Sequence, residues 1–218
     1  MNEQNQGLET LKDIRQMMER SSRFISLSGW SGIAAGICAL IGAWFAYGVI
    51  RESNSSSTYF EFRNENHELI TIREFMGGSL FYIAVFTFIA AFFFAFIFTY
   101  LRSKKSNIPL WGTASRRLLI NVAIPMVAGG IYLLRMIQAG QYGLIAPGCL
   151  IFYGLALVNA SKYTLGEVRY LGYCQIILGI INAWYMGYGL YFWAMGFGVL
   201  HIVYGVLMWW RYERATTS

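Results

Sequence analysis

The sequence reads as all-α: a polytopic membrane helix bundle of six transmembrane helices with both ends in the cytoplasm. Three observations lead there. Hydrophobic residues make up 56% of the 218 residues and charged residues only 13%, against about 25% charged in an ordinary soluble domain. Six apolar runs lie near 26–50, 80–101, 118–137, 144–161, 169–187 and 190–210, each close to the roughly 20 residues that a helix needs to cross hydrocarbon. Lysine and arginine then gather on one side of those runs.

Lipid offers no partner for backbone N–H and C=O groups, so runs of this length must be helices unless a barrel closes. The runs are too long for barrel strands and lack period-two alternation. Mean hydropathy of +0.45 agrees. Orientation follows from Lys12, Arg15, Arg20, Arg23, Arg102, Lys104, Lys105, Arg116, Arg117, Lys162, Arg169, Arg211 and Arg214 on one side, against Arg51, Arg63, Arg73 and Arg135 on the other. The basic excess belongs in the cytoplasm.

Taken in order, residues 1–25 form a cytoplasmic segment in which Leu8, Leu11, Ile14, Met17 and Met18 recur at helical spacing. An amphipathic helix on the membrane or on a partner accounts for this, and so does a helical extension of the first span. The first run is about twice the length of a signal-peptide core and follows a long polar leader, so cleavage is not expected. Ser28, Gly32 and Gly36 recur every four residues, with Ala35, Ala39 and Ala43 on the adjacent row. Small residues at this spacing let helix backbones approach. The face suits packing within the chain first and a homodimer seam through Gly32 and Gly36 second.

The outer loop 51–79 has an acidic tilt, and Tyr59–Arg63 with Leu69–Ile72 could pair as a small hairpin. Pro109 opens an interfacial turn, and Pro125 should kink the third span. Thr164 and Glu167 match a capping box at the start of the fifth span. Gly172, Gln175, Gly179 and Asn182 on that span, and Ala194, Gly198, His201, Gly205 and Met208 on the sixth, form small-and-polar stripes expected to face each other. The six-helix domain thus covers 26–214, with 215–218 as a tail. Tyr47-Gly48, Tyr142-Gly143 and Tyr188-Gly189 echo one another. Three tandem helical hairpins would explain the echo, as would interfacial aromatics beside helix-ending glycines.

The net charge of +6 lies in short clusters beside apolar runs. Its natural partner is a bilayer with anionic headgroups at the cytoplasmic face, not nucleic acid. Cys38, Cys149 and Cys174 fall inside apolar runs with no CxxC spacing, and neither a metal site, a cofactor nor a disulfide framework is indicated. No span contains Asp, Glu or Lys, which argues against the carboxylate relays of ion-coupled pumps.

What remains for chemistry is a short polar set. His201 stands near the middle of the sixth span, where an ionisable group is a functional candidate by default, although a neutral imidazole bonded to a neighbouring helix fits as well. Arg135 lies near the outer end of the third span, on one face with Tyr132. Snorkelling to headgroups accounts for it, and so would an anion site at the outer mouth. Asn182 and Gln175 complete the set, and Asn121 and Asn159 share a level near the cytoplasmic face.

Gly29-Trp30-Ser31-Gly32 resembles the G-x-S-G pattern of rhomboid-type intramembrane serine proteases, with His201 as the formal partner. That resemblance implies an intramembrane hydrolase. Residue counting sets Ser31 and His201 about 9 Å apart in depth at 1.5 Å per residue, the family carries its serine on a later span, and Tyr204 stands where the family's His-x-x-Gly has glycine. The stretch Met18–Phe24 running into Ser26–Gly29 resembles the start of small polytopic proteins of bacterial membranes that carry no known activity. This implies an inner-membrane location. Two functions are expected from these residues: a non-enzymatic scaffold, sensor or accessory subunit, or a small transporter or ligand-binding bundle for a hydrophobic or anionic solute.

Overall fold

The computed structural model describes residues 28–53, 76–105 and 111–212. The amphipathic segment 1–25, the hairpin in the outer loop, Pro109 and the tail lie outside the described residues. Among those described, every regular element is a helix: α1 Gly29–Ser53, α2 Ser79–Lys105, α3 Thr113–Gln138, a single 3₁₀ turn Tyr142–Leu144, α4 Ile145–Ala160, α5 Val168–Trp184, and α6 Gly189–Tyr212. Five of them, α4 being taken with its leading turn, are long and apolar enough to cross a membrane. The protein is therefore read as a multi-pass membrane protein. At 17 residues, or about 25 Å of rise, α5 is the short member.

Helix limits differ from the apolar runs at places with a physical reason. Helix α2 continues through Arg102, Lys104 and Lys105, and α3 begins ahead of Arg116 and Arg117. Charged turns that leave hydrocarbon still gain by continuing the backbone ladder, and hydropathy does not register them. Helix α5 stops short of the expected end because the chain turns at Gly187, whose φ of 95° lies in the left-handed region that favours glycine. It begins at Val168 with Glu167 at the cap position and no side-chain cap bond. Glu167 also has partners on another helix, described below. Helix α3 runs unbroken through Pro125.

Two close crossings organise the bundle. Helices α1 and α6 run antiparallel, and a Cβ built on Gly205 would lie 2.6 Å from the Gly29 carbonyl oxygen. Helices α4 and α5 repeat the arrangement: a Cβ on Gly172 would lie 2.7 Å from the Gly154 oxygen, and the reciprocal contact is also 2.7 Å. Since lipid is as apolar as leucine, such crossings are held by dispersion between backbones, which a methyl group would wedge apart.

Gly32 and Gly36 both face α6, so this seam is used within the chain. Apart from Ala194, which is half-buried, the stripes on α5 and α6 are buried but do not chiefly meet each other. Gly172 and Gly179 pack on α4, and Gly198 and Gly205 pack on α1. Periodicity shows that a face is buried without saying against what.

Helix α2 leans on α1, α1 on α6, α6 on α4 and α5, and α3 on α4. Helices α4 and α6 run parallel, since Ala146, Leu150 and Tyr153 meet Gly189, Gly196 and His201 in the same order. The tightest pair is α4–α5 and not α5–α6, which differs from three tandem hairpins. The Tyr-Gly echo dissolves too: Tyr47-Gly48 lies within α1, Tyr142-Gly143 in a 3₁₀ turn, and Tyr188-Gly189 at the start of α6. Helices α2 and α3 flank the bundle, each with only 6% of its apolar window buried. Phe86, Phe88, Phe92, Phe93 and Phe96 of α2 all point outward.

Candidate functional site: a buried polar cluster around a π-helical segment

Between Ala194 and Leu200, α6 widens into a π-helix, a form that often marks functional sites. In this stretch the backbone N–H of His201 goes to the Gly198 carbonyl. The Gly196 carbonyl instead receives two side chains. The Gln175 Nε2–H of α5 donates to it at 2.8 Å, and the His201 Nδ1 lies 3.0 Å away.

A carbonyl oxygen only accepts, so Nδ1 carries the imidazole proton. The other ring nitrogen, Nε2, then accepts from the Tyr153 hydroxyl of α4 at 2.8 Å. Both nitrogens of a neutral His201 are engaged, and Phe197 stacks near the same two rings. The chain Tyr153–His201–Gly196–Gln175 ties α4, α5 and α6 together at one level.

Not every polar atom in this region is engaged. The Gln175 Oε1, both amide atoms of Asn182 and the Tyr204 hydroxyl are buried without a hydrogen-bond partner. An unmet buried polar group costs about 1–3 kcal/mol, so these atoms are acceptors and donors held at expense.

Of the five candidate residues, the structure brings His201 and Gln175 to one shared acceptor, the Gly196 carbonyl. Asn182 shares the buried face of α5 with Gln175, seven residues on. Arg135 and Tyr132 stand apart: both are exposed on the flank of α3. The Arg135 guanidinium bonds Gln138 of its own helix at 3.3 Å, and the Tyr132 ring packs on Phe152 at 5.6 Å. Helix α3 packs on α4, and Arg135 and Tyr132 stay on its flank.

Other polar expectations resolve into structure. Proline has no N–H to offer the carbonyl four residues back, so Pro125 withdraws the backbone donor of the Asn121 oxygen. Asn159 Nδ2–H of α4 donates to that oxygen at 2.8 Å. Ser31 Oγ donates to the Ser28 carbonyl at 2.5 Å, and His201 turns its ring toward α4. Depth counting overstated their separation, since Gly32 lies against the His201 carbonyl. Side-chain direction separates the two as well as level, since Gly29 and Gly36 on either side of Ser31 lie against Gly205 and Gly198.

At the other end of α6, Tyr212 Oη–H donates to Glu167 Oε1 at 2.6 Å, and Arg211 lies 3.5 Å from the same oxygen. Burial raises the Glu167 carboxyl, but the Tyr212 hydrogen bond, its own backbone, Arg211 and Arg169 together outweigh that and hold it below the ordinary value.

Sequence reasoning missed Tyr153, Gly196 and Tyr204. Tyrosine reads as an interfacial aromatic, and its mid-span place in α4 was the available signal. Nothing in the residue pattern announces a π-helical segment. No family model, curated protein or solved structure matches the chain.

Proposed function

We propose that this chain is a six-span inner-membrane protein with both ends in the cytoplasm, and that it acts by binding a membrane partner as a scaffold or accessory subunit. Helix α5 is treated as a span because it runs antiparallel beside α4 from Gly154–Gly172 to Pro147–Gly179. A helix paired along a spanning neighbour shares its depth, and 17 residues lie at the lower end of the spanning range.

The observation that carries the reading is the engagement of His201. Its two nitrogens serve Tyr153 and Gly196, so the ionisable group at mid-depth works as a tie between helices. Helices α2 and α3, bare on their outer faces, offer the area that a partner within the bilayer would cover. Purification in mild detergent with mass spectrometry of co-purifying proteins tests this. Recovery of one membrane protein at fixed stoichiometry, lost when Phe88 and Phe92 are changed to Ala, is the expected result. A chain recovered alone from gently solubilised membranes contradicts it.

A second reading has one observation in its favour. The unpartnered Asn182 amide and Gln175 oxygen suit a small-solute site in the bundle. Under that reading Asn182→Leu abolishes uptake or binding of the solute, whereas the scaffold reading expects a folded, partner-competent protein.

A further inference from the structure

Helix α5 packs on the first part of α6, and toward the end that carries Glu167 and Arg211 the two helices leave a groove of about 590 Å³. This is the size of a small-ligand site, which is usually apolar with a few placed polar groups. Its walls are Leu171 and Cys174 from α5 and Leu200, Val203 and Leu207 from α6. Tyr204, whose hydroxyl is buried and unpartnered, is another lining residue. The groove is on the side of α6 opposite α1 and opens to the surface that the membrane reading assigns to lipid.

The mouth has a distinct chemistry. Arg211 lines it with a side chain 69% exposed, held by Glu167 at 3.5 Å. Arg169 places its guanidinium 5.3 Å over the ring of Tyr170, another lining residue. Two arginines that both bias one carboxylate leave a net positive charge at this end. A guanidinium has five N–H donors, so an Arg211 that shares one carboxylate oxygen keeps donors for a phosphate. Glu167 fixes the position of that arginine without consuming its capacity.

We propose that the α5–α6 groove holds one acyl chain of an anionic phospholipid, with the headgroup phosphate between Arg169 and Arg211. The occupant is a lipid because the walls are apolar along the helices while charge is confined to one end. It is anionic because the mouth is net positive. The site rests on the membrane reading above and is independent of the number of spans and of any protein partner.

Cys174, an exposed thiol on the wall, reports on the site without mutation. The full chain, purified and delipidated in mild detergent, is mixed with phosphatidylglycerol, phosphatidylcholine or glycerol phosphate. Alkylation of Cys174 by N-ethylmaleimide is then followed, and bound lipid is counted by native mass spectrometry. One phosphatidylglycerol per chain is expected, bound roughly tenfold more tightly than phosphatidylcholine, with Cys174 labelling slowed several-fold.

Arg169→Gln with Arg211→Gln should erase the preference between the two lipids. Val203→Trp, which fills the groove, should expel the lipid. Equal binding of both lipids, unchanged Cys174 labelling in unmodified protein, or protection by glycerol phosphate as strong as that by the lipid each overturns the proposal. A chain that stays dispersed without detergent instead removes the membrane reading beneath it, and that control is run separately.

Discussion

Among the described residues, the Asn121 carbonyl accepts the side-chain amide of Asn159 from another helix, and the Gly196 carbonyl accepts that of Gln175. The first has a clear cause in Pro125. Asn159→Ala should therefore cost about 0.6–1.7 kcal/mol, the range of interhelical hydrogen bonds in membranes. In a Pro125→Ala background the Asn121 oxygen regains a backbone donor, and the same change should cost less, with a coupling of at least about 0.5 kcal/mol. Thermal unfolding of the four proteins in one detergent measures this; additive losses would show that Pro125 and Asn159 are unrelated. His201 is equally specific. Nitrogen NMR of the imidazole should report the Nδ1–H tautomer, and Tyr153→Phe should alter the Nε2 signal most. Polar residues in apolar runs were visible in the sequence, and His201, Gln175 and Asn182 do prove buried. Their partners were not, because a backbone carbonyl and a mid-span tyrosine carry no sequence mark.

Helix pairs carry a different kind of information. Spacing in α1 indicated a small-residue face, and Gly29, Gly32 and Gly36 do meet another helix, α6. A methyl at Gly205 must displace the Gly29 carbonyl or the Ile33 nitrogen, each 2.6 Å from it, so Gly205→Ala should cost about 1–3 kcal/mol. Gly130 on α3 has nothing within 4 Å of a built Cβ, and Gly130→Ala should be neutral or stabilise by up to about 1 kcal/mol. Equal effects of the two changes would mean the α1–α6 crossing is not tight.

The start of α5 is tied to the end of α6 by Glu167, Tyr212 and Arg211. Because the folded carboxyl is held below the ordinary value of 4.5, its contribution is complete above that pH and fades as pH falls through the lowered value. The stability gap between wild type and Glu167→Gln should close in that acidic window; being partly exposed, the pair should contribute no more than about 1 kcal/mol. A gap that persists unchanged below pH 3 would assign the effect to something other than charge. Capping-box spacing drew attention to Glu167, but a partner on α6, 45 residues away, lies beyond what local spacing can reveal.

For the bundle as a unit, hydropathy and length were enough to find six helices and five clear span candidates. They were not enough to order them. Tight packing of α4 on α5 and of α6 on α1 depends on glycine contacts across the bundle, and loop length alone would have paired α5 with α6. The short α5 is where the topology is decided. If it crosses, both ends share a side; if it lies within one leaflet, the five remaining spans put them on opposite sides. Single cysteines at Gln6→Cys, Ser56→Cys and Thr217→Cys, in a chain freed of its native cysteines, can be probed with a membrane-impermeant maleimide. Six crossings predict labelling at position 56 in intact cells and at positions 6 and 217 only after the membrane is opened. Labelling of one end and not the other in intact cells would contradict six crossings.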